Sequence, residues 1–181
     1  PLLMHNVQLA DPMNEHARAM KKITAIRKKS DEDLIELQRV EFMGGLYLGA
    51  QGEPIIPGEI VEAVIREGAK KTRRGQDVRR SVMSDGNWPL IDKGPRTAEA
   101  LWEAGTFRDY RMVGVNGSKV ARTRPRFDNW ELQFEVMYDT DTVNLEDLTT
   151  WITIAGQIAG IGDYVPRFGR YEVVSIVKVE D

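Results

Sequence analysis

The chain has 181 residues, a length that suits one domain of ordinary size with a single sizeable core. Hydrophobic residues make up 41% and charged residues 29%, and the absence of any long apolar run excludes a membrane-spanning helix. With no cysteine there is no disulfide, thiolate nucleophile or sulfur-ligated zinc. The N-terminus also lacks signal-peptide features, so we expect a soluble cytoplasmic protein with no membrane partner.

The net charge of −3 hides an uneven distribution along the chain. Residues 66–126 contain fifteen Lys or Arg and seven Asp or Glu, whereas residues 127–155 contain seven acids and no base. One part of the chain is therefore suited to neutralising phosphates, while another repels them.

The first half of the chain predicts one strand followed by helices. An apolar run over residues 2–9 predicts a strand that ends at Asp11-Pro12. Helical spacing then predicts a basic amphipathic helix over 13–29 and a second helix that Ser30 caps, so residues 12–44 form a helical insertion. Another helix is predicted over 59–71, where apolar residues share one face.

A basic excursion follows over residues 71–110, and its polar stretch 71–94 is expected to be weakly ordered. Within and after it we predict a short helix over 97–104 and a hairpin that turns at Asn116-Gly117. Alternating apolar residues predict a strand over 129–138.

A helix capped by Asn144 and a closing strand over 171–179 complete the predicted elements. Without the insertions, the order is βαββαβ. The predicted fold class is therefore α+β and ferredoxin-like, with helices on one face of an antiparallel sheet in a single domain over residues 1–181. The other face of the sheet would be open to a ligand.

Basic residues in three segments are the candidate nucleic-acid-binding residues. Cations of the first and second segments would contact phosphates, and the third combines arginines with glycines and with aromatic faces on which bases stack. The candidates are Arg66, Lys70, Lys71, Arg73, Arg74, Arg79 and Arg80, then Arg122, Arg124 and Arg126, and finally Tyr164, Arg167, Phe168 and Arg170, with Tyr171 as a further aromatic.

The first and third segments also have a purely structural interpretation. Cations near a helix C-terminus stabilise the helix itself, and a glycine-containing loop is an ordinary way to end one. Evidence for an enzyme is thin, because His5 and His16 lack metal-ligand spacing and the acids at 31–33 suit a helix start. No nucleotide-binding loop or nucleophile elbow is present, so no cofactor or catalytic residue is assigned.

Two motifs carry a family resemblance. The stretch Pro54-Ile55-Ile56-Pro57-Gly58, followed by a helix with Arg66, resembles the signature of the RAMP (repeat-associated mysterious protein) superfamily, especially CRISPR effector backbone subunits. The region from Asn144 to Val179, with glycines at 160, 162 and 169, is similar to the glycine-rich loop of that superfamily. The stretches 5–12, 41–47 and 166–173 resemble a family of phage and prophage proteins.

The resemblance implies a modified RNA-recognition-motif fold and single-stranded RNA binding along a helical stack of subunits. We therefore favour a non-enzymatic, phage-encoded protein that binds single-stranded nucleic acid, RNA rather than DNA, and assembles head to tail in the host cytoplasm. One alternative is an interaction protein or decoy that docks into a CRISPR effector or another host complex. Another is a metal-dependent nuclease that uses Asp11.

Overall fold

A computed structural model describes residues 1–115, with the side chain of Val115 excepted, and residues 117–179. The described chain is a mixed α+β protein with small sheets and six α-helices. It divides into two compact units. The first comprises Pro1–Leu2, Ile56–Leu90 and the chain from Glu131 onward, and the second comprises Leu3–Ile55 and Ile91–Trp130.

The helices and strands are numbered in chain order. The helices are α1 Glu15–Thr24, α2 Asp31–Gly45, α3 Gly58–Lys70, α4 Gly75–Ser81, α5 Ala98–Ala104 and α6 Leu145–Ile158. The strands are β1 Leu2–Leu3, β2 Ile55–Pro57, β3 Val82–Met83, β4 Asn87–Ile91, β5 Arg108–Val115, β6 Ser118–Phe127, β7 Glu131–Leu132 and β8 Met137–Tyr138.

The first unit is built on the packing of α3 against α6. A Cβ placed on Gly68 would lie 2.0 Å from the carbonyl oxygen of Trp151, so the two helix backbones approach closely at this glycine. Val61, Ile65 and Leu148 are buried around this contact. The strands of this unit pair in the order β2-β4-β7 and, separately, as β3 with β8.

The second unit packs helices against the long β5–β6 hairpin. Its sheet has the order β1-β6-β5, and α2 packs on β6. The centre of this unit is aromatic: Phe42 of α2 lies 5.5 Å from Trp102 of α5, measured between ring centroids, and Phe127 is fully buried. These large side chains remove apolar surface from water, which is the main favourable contribution to folding.

Several predicted elements are confirmed. Ser30 and Asp33 form a reciprocal capping box at the start of α2, and the Asn144 side chain accepts a hydrogen bond from the Asp147 backbone at the start of α6. The hairpin is present as β5 and β6, paired antiparallel from Arg108 opposite Pro125 onward. Asn116, which the sequence places in its turn, lies outside the described residues.

Three predicted strands differ in the structure. The first is only Leu2–Leu3, because the Asn6 side chain caps a 3-10 turn over Val7–Ala10 instead. The strand over 129–138 keeps its alternating burial, but its ends, β7 and β8, pair in two different sheets and its middle is unpaired. Residues 171–179 form no strand.

Residues 71–94, for which the composition predicts weak order, contain α4, β3 and β4. Buried apolar side chains hold these elements: Val78 is 1% exposed, Val82 6% and Leu90 2%. Val78 is flanked by polar residues, and the short apolar stretches around Val82 and Leu90 are separated by polar residues 84–87, so no sustained periodic apolar pattern reveals the core contact.

Candidate nucleic-acid interface

The first candidate surface is the basic turn, which we define as residues 66–80, from the end of α3 through α4. Helix α3 ends at Lys70, and Arg73 then takes a left-handed conformation with φ 62°. Glycine is the usual residue at such a helix end, because a Cβ makes this conformation costly. The burial of Val78 fixes α4 behind the turn and directs Arg79 and Arg80 outward.

Two of the seven candidate cations in the basic turn are held by carboxylates. Lys70 pairs with Glu67 on the same helix. Arg74 donates from Nε to Asp77 at 2.7 Å, pairs with Asp147 and donates to the Thr142 carbonyl at 2.7 Å. The hydrogen bond to Asp77 is the main reason why the pKa of Arg74 is raised. Arg74 therefore connects the turn to the start of α6.

Four cations of the basic turn face solvent: Lys71, Arg73, Arg79 and Arg80. In the described chain no carboxylate lies within salt-bridge distance of any of them. The remaining candidate, Arg66, is half-buried. Exposed cations without internal counter-charges can release the counterions of a phosphate backbone, which is the source of salt-dependent nucleic-acid affinity.

The second candidate surface is the glycine loop, residues 159–170, after α6. Gly160 and Gly169 both have positive φ, and the backbone N–H of Ile161 donates to the Gly169 carbonyl at 2.8 Å, which closes the loop. A Cβ on Gly169 would lie 1.7 Å from the Ile161 carbonyl oxygen, so the close approach requires glycine. The Val165-Pro166 peptide bond is cis.

The loop presents one of the three candidate aromatic rings to solvent. The side chain of Tyr164 is 51% exposed, and its ring lies 6.0 Å from that of Phe168, which is buried. Tyr171 donates its hydroxyl to the Ile152 carbonyl, and burial raises its pKa. Arg167 and Arg170 are exposed, and Arg170 donates to the Pro166 carbonyl at 2.9 Å.

The structure places these two surfaces at opposite ends of α6. Arg74 contacts Asp147 in the first turn of that helix, whereas the glycine loop begins after its last residue, Ile158. At a rise of about 1.5 Å per residue, Asp147 and Ile158 are about 16 Å apart along the helix axis. A flexible single strand could contact both surfaces, but one phosphate group could not.

The third candidate surface is the arginine ladder, which we define as Arg111, Arg122, Arg124 and Arg126 on the β5–β6 hairpin of the second unit. The last three alternate with buried Thr123, Pro125 and Phe127, so their side chains share one face of β6. Register places Arg111 opposite Arg122 and Asp109 opposite Arg124. All four guanidinium groups are less than half exposed.

Two buried carboxylates neutralise part of the arginine ladder. Glu41 of α2 accepts from Arg124 at 2.9 Å and lies 3.5 Å from Arg122. Asp109 pairs with Arg111 and lies 3.3 Å from Arg126. Burial alone would raise the pKa of Asp109, but the hydrogen bonds and positive charges of these arginines outweigh it and lower the pKa.

Glu41 and Asp109 were not predicted as counter-charges from the sequence. The available signal is that Glu41 interrupts the apolar stretch from Val40 to Met43, where a charged residue needs a buried partner. Asp109 is flanked by Arg108 and Tyr110 and has no such mark. Its role depends on the strand register, which brings Arg126 beside it from a distant part of the chain.

Asp11, the residue named for the nuclease alternative, lies in a turn. Asp11 is exposed, and its side chain accepts a hydrogen bond from the Met13 backbone at 2.8 Å, as in an ordinary Asx turn. Asp33 belongs to the capping box of α2. Across residues 1–115 and 117–179, no three His, Asp or Glu side chains form a cluster that could hold a metal ion.

No protein-family model, curated protein or solved structure matches this chain. Among the described helices, none combines the length and the apolar character that crossing a bilayer requires. The interpretation of the three surfaces therefore rests on their own geometry and on the motifs of the sequence.

Proposed function

We propose that this chain is a non-enzymatic single-stranded nucleic-acid-binding protein, with RNA favoured over DNA, which assembles head to tail. The observation that carries the proposal is the group of four exposed cations in the basic turn, for which the described chain offers no carboxylate partner. Binding phosphate costs such exposed, unneutralised cations little free energy, because no internal ion pair has to be broken first.

The glycine loop supplies the second component of the proposed site. Arg167 and Arg170 would contact phosphates, and the exposed ring of Tyr164 would stack on a base, a contact that every base can make. Phe168 would act indirectly, as the buried ring on which Tyr164 rests. Phosphate contact and stacking together predict affinity with little sequence preference.

The arginine ladder has a lesser part in the proposal. Glu41 and Asp109 compensate two of its four positive charges, and Arg126 also pairs with the exposed Asp128. A phosphate would have to compete with these carboxylates for the guanidinium donors. We therefore rank Arg122, Arg124 and Arg126 below the basic turn as contact residues.

We also propose a specific fold within the α+β class. The motif order supports a RAMP-like, ferredoxin-like βαββαβ arrangement with a phage origin, and the packing of α3 on α6 agrees with two helices on one side of a sheet. The described strands pair in three small sheets rather than in one of four strands. The preference for RNA over DNA follows from the sequence resemblance.

The test replaces two cations of α4. Fluorescence anisotropy with labelled 20-mers of poly(U) RNA and poly(dT) DNA would measure the affinity of wild type and of Arg79→Ala/Arg80→Ala across a salt series. We expect roughly tenfold weaker binding and a salt slope about 1.4 smaller in magnitude, since each lost phosphate contact on a single strand reduces the slope by about 0.7. Both side chains are exposed, so folding should be unaffected.

The matched control is Lys21→Ala/Lys22→Ala, which removes the same charge from exposed adjacent positions on α1. It should bind like wild type within about twofold. Equal affinity of wild type and the α4 variant would contradict the site. An equal loss in both variants would mean that only total charge matters.

A second candidate function is an interaction protein or decoy that binds a host complex, including a CRISPR effector. The observation that favours it is the engagement of Arg74, Arg122, Arg124 and Arg126 by internal carboxylates, which leaves those arginines less available to phosphate. The ratio of absorbance at 260 and 280 nm of the purified protein separates the two functions. Retained nucleic acid supports the first, and a protein-only ratio together with failure of the anisotropy test supports the second.

A further inference from the structure

Segment 172–179 has the composition of a strand but forms no strand in the part of the chain that the structure describes. Five of its eight residues are Val or Ile, the residues that favour an extended, paired backbone. Within the described chain, no backbone hydrogen bond joins residues 172–177 to another residue. The residue before it is anchored, because Tyr171 bonds to the Gly156 carbonyl through its N–H and to the Ile152 carbonyl through its hydroxyl.

The segment exposes apolar side chains to an unusual degree. Val174 is 96% exposed, Val177 78% and Val179 75%. In an extended backbone Val174 lies on one face and Val177 and Val179 on the other, so both faces are apolar. Each exposed valine forgoes about 1.5 kcal/mol or more of burial free energy. Such a segment is suited to becoming a strand covered on both faces.

The same chain carries an open strand edge of matching length. Strand β5 has eight residues, Arg108–Val115, and lies at the end of the sheet order β1-β6-β5, so the described chain places no strand along its second edge. Its outer face has two large apolar side chains, Tyr110 at 57% and Met112 at 58% exposure. A long edge with exposed apolar residues is a template for an added strand.

One register satisfies both charge and hydrophobicity. In parallel alignment with Glu172 beside Arg108, Val174 falls beside Tyr110 and Ile176 beside Met112, all on one face. Arg108 stacks on Trp102 at 4.3 Å and has no carboxylate within salt-bridge distance in the described chain, so Glu172 would supply its counter-charge. An antiparallel register could pair Val174 with Met112 and Ile176 with Tyr110. It would place Lys178 beside Arg108, so two positive charges would face each other.

We propose that segment 172–179 of one copy adds as a parallel strand to the free edge of β5 in a second copy. Main-chain hydrogen bonds would supply affinity, and the Glu172, Val174 and Ile176 side chains would fix the register. Donor and acceptor are different surfaces of the same chain, so the contact is heterologous and propagates into a ring or a filament. It supplies the head-to-tail contact of the proposed function but requires no nucleic acid.

The first experiment measures oligomeric state without nucleic acid. Size-exclusion chromatography with light scattering would compare wild type with Val174→Asp and with Met112→Asp, which alter the donor and the acceptor at exposed positions. We expect wild type to exceed the single-chain mass of 20.5 kDa increasingly with concentration. Each variant should elute at that mass, and mixing the two should restore a dimer, because each variant retains one intact surface.

The second experiment uses the absence of cysteine from the chain. Single variants Val174→Cys and Tyr110→Cys, one carrying a mass tag, are mixed under mild oxidation. A disulfide-linked heterodimer identifies a contact between copies, because neither variant can form the bond within itself. The control pairs Tyr110→Cys with Val7→Cys, a position that is 70% exposed. We expect at least tenfold more heterodimer from the first pair than from the control.

Two results would overturn the inference: a single-chain mass for wild type at every concentration, or no more cross-linking than in the control pair. Both readouts are independent of nucleic acid, so their failure leaves the anisotropy test of the basic turn unaffected. Conversely, a wild-type oligomer that dissociates in the Val174→Asp variant, with no change in RNA affinity in the α4 variant, would support the strand contact and contradict the nucleic-acid site.

Discussion

Charged side chains in this protein fall into two groups with different roles. Glu41 and Asp109 are buried, and the arginines around them form charge-assisted hydrogen bonds to these fixed carboxylates. Arg73, Arg79 and Arg80 are exposed and lack such a partner in the described chain. The first group is interpreted most directly as structure, and the second as a surface for a ligand.

Arg73 should strengthen the proposed nucleic-acid binding while lowering the free energy of unfolding. Its left-handed φ of 62° costs a residue with a Cβ about 1 kcal/mol relative to glycine. We predict that Arg73→Gly raises the free energy of unfolding by about 1 kcal/mol in urea denaturation while weakening poly(U) binding. Arg73→Ala is the control, since it removes the same charge but keeps the Cβ. Equal stability of the two variants would mean that the conformation is unstrained.

Asp109 should make stability sensitive to acid. Its pKa in the folded protein is below the unfolded value of about 4, so its stabilising contribution is complete above pH 4 and is lost as the pH falls through the folded pKa. At pH 7, Asp109→Asn should lower the free energy of unfolding by about 1.5–3 kcal/mol.

Below pH 4, the free energies of unfolding of wild type and Asp109→Asn should become more similar. Urea denaturation at a series of pH values would measure both. The exposed Asp128 offers the comparison, because Asp128→Asn should change stability by less than about 0.5 kcal/mol at any pH in the series. A gap for Asp109→Asn that stays constant with pH would show that its charge is not the source of the effect.

At the scale of elements, local chemistry was sufficient for the helices and insufficient for the strands. Caps at Ser30 and Asn144 fixed helix starts, because a side chain within three residues supplies the missing bond. Strand limits depend on partners far away in the chain. The sequence therefore predicted the alternation over 129–138 but not its division between two sheets, and it did not reveal that residues 171–179 form no strand.

The contact between α3 and α6 should be intolerant of a single methyl group. Gly68→Ala would place a Cβ 2.0 Å from the Trp151 carbonyl oxygen, which belongs to the backbone and cannot rotate away. We predict that the free energy of unfolding falls by about 1–3 kcal/mol. Gly114→Ala is the control, since no atom lies within 4 Å of its added Cβ. A similar result for both glycines would indicate that the helices separate freely.

For the whole molecule, net charge is a poor guide to binding. The chain is acidic overall, yet the exposed cations of the basic turn are concentrated within ten positions. The cluster is visible in the sequence itself, because adjacent cations need no tertiary contact to be recognised. The sequence could not indicate which arginines are neutralised, since Glu41 and Arg124 are 83 positions apart in the chain.

If stacking on Tyr164 contributes to binding, the protein should distinguish single strands from duplexes. A 20-mer of single-stranded RNA at a hundred times its Kd should add about 2.7 kcal/mol to the free energy of unfolding and raise the melting temperature. The corresponding duplex should give a smaller shift, because its bases are already stacked. Equal shifts would indicate that only phosphates are recognised, and Tyr164→Ala would then have no effect on affinity.

Trp151 gives the protein an intrinsic optical probe. Its indole N–H donates to Thr72 Oγ1 at 2.9 Å, and the Arg74 guanidinium lies 5.2 Å from its ring centroid, so a buried chromophore sits directly beneath the basic turn. Tryptophan emission responds to nearby charge and to hydrogen bonding of the indole. Occupancy of the turn by a polyanion would therefore alter the fluorescence spectrum without any attached label, and Trp151→Phe would identify the share of the signal that originates there.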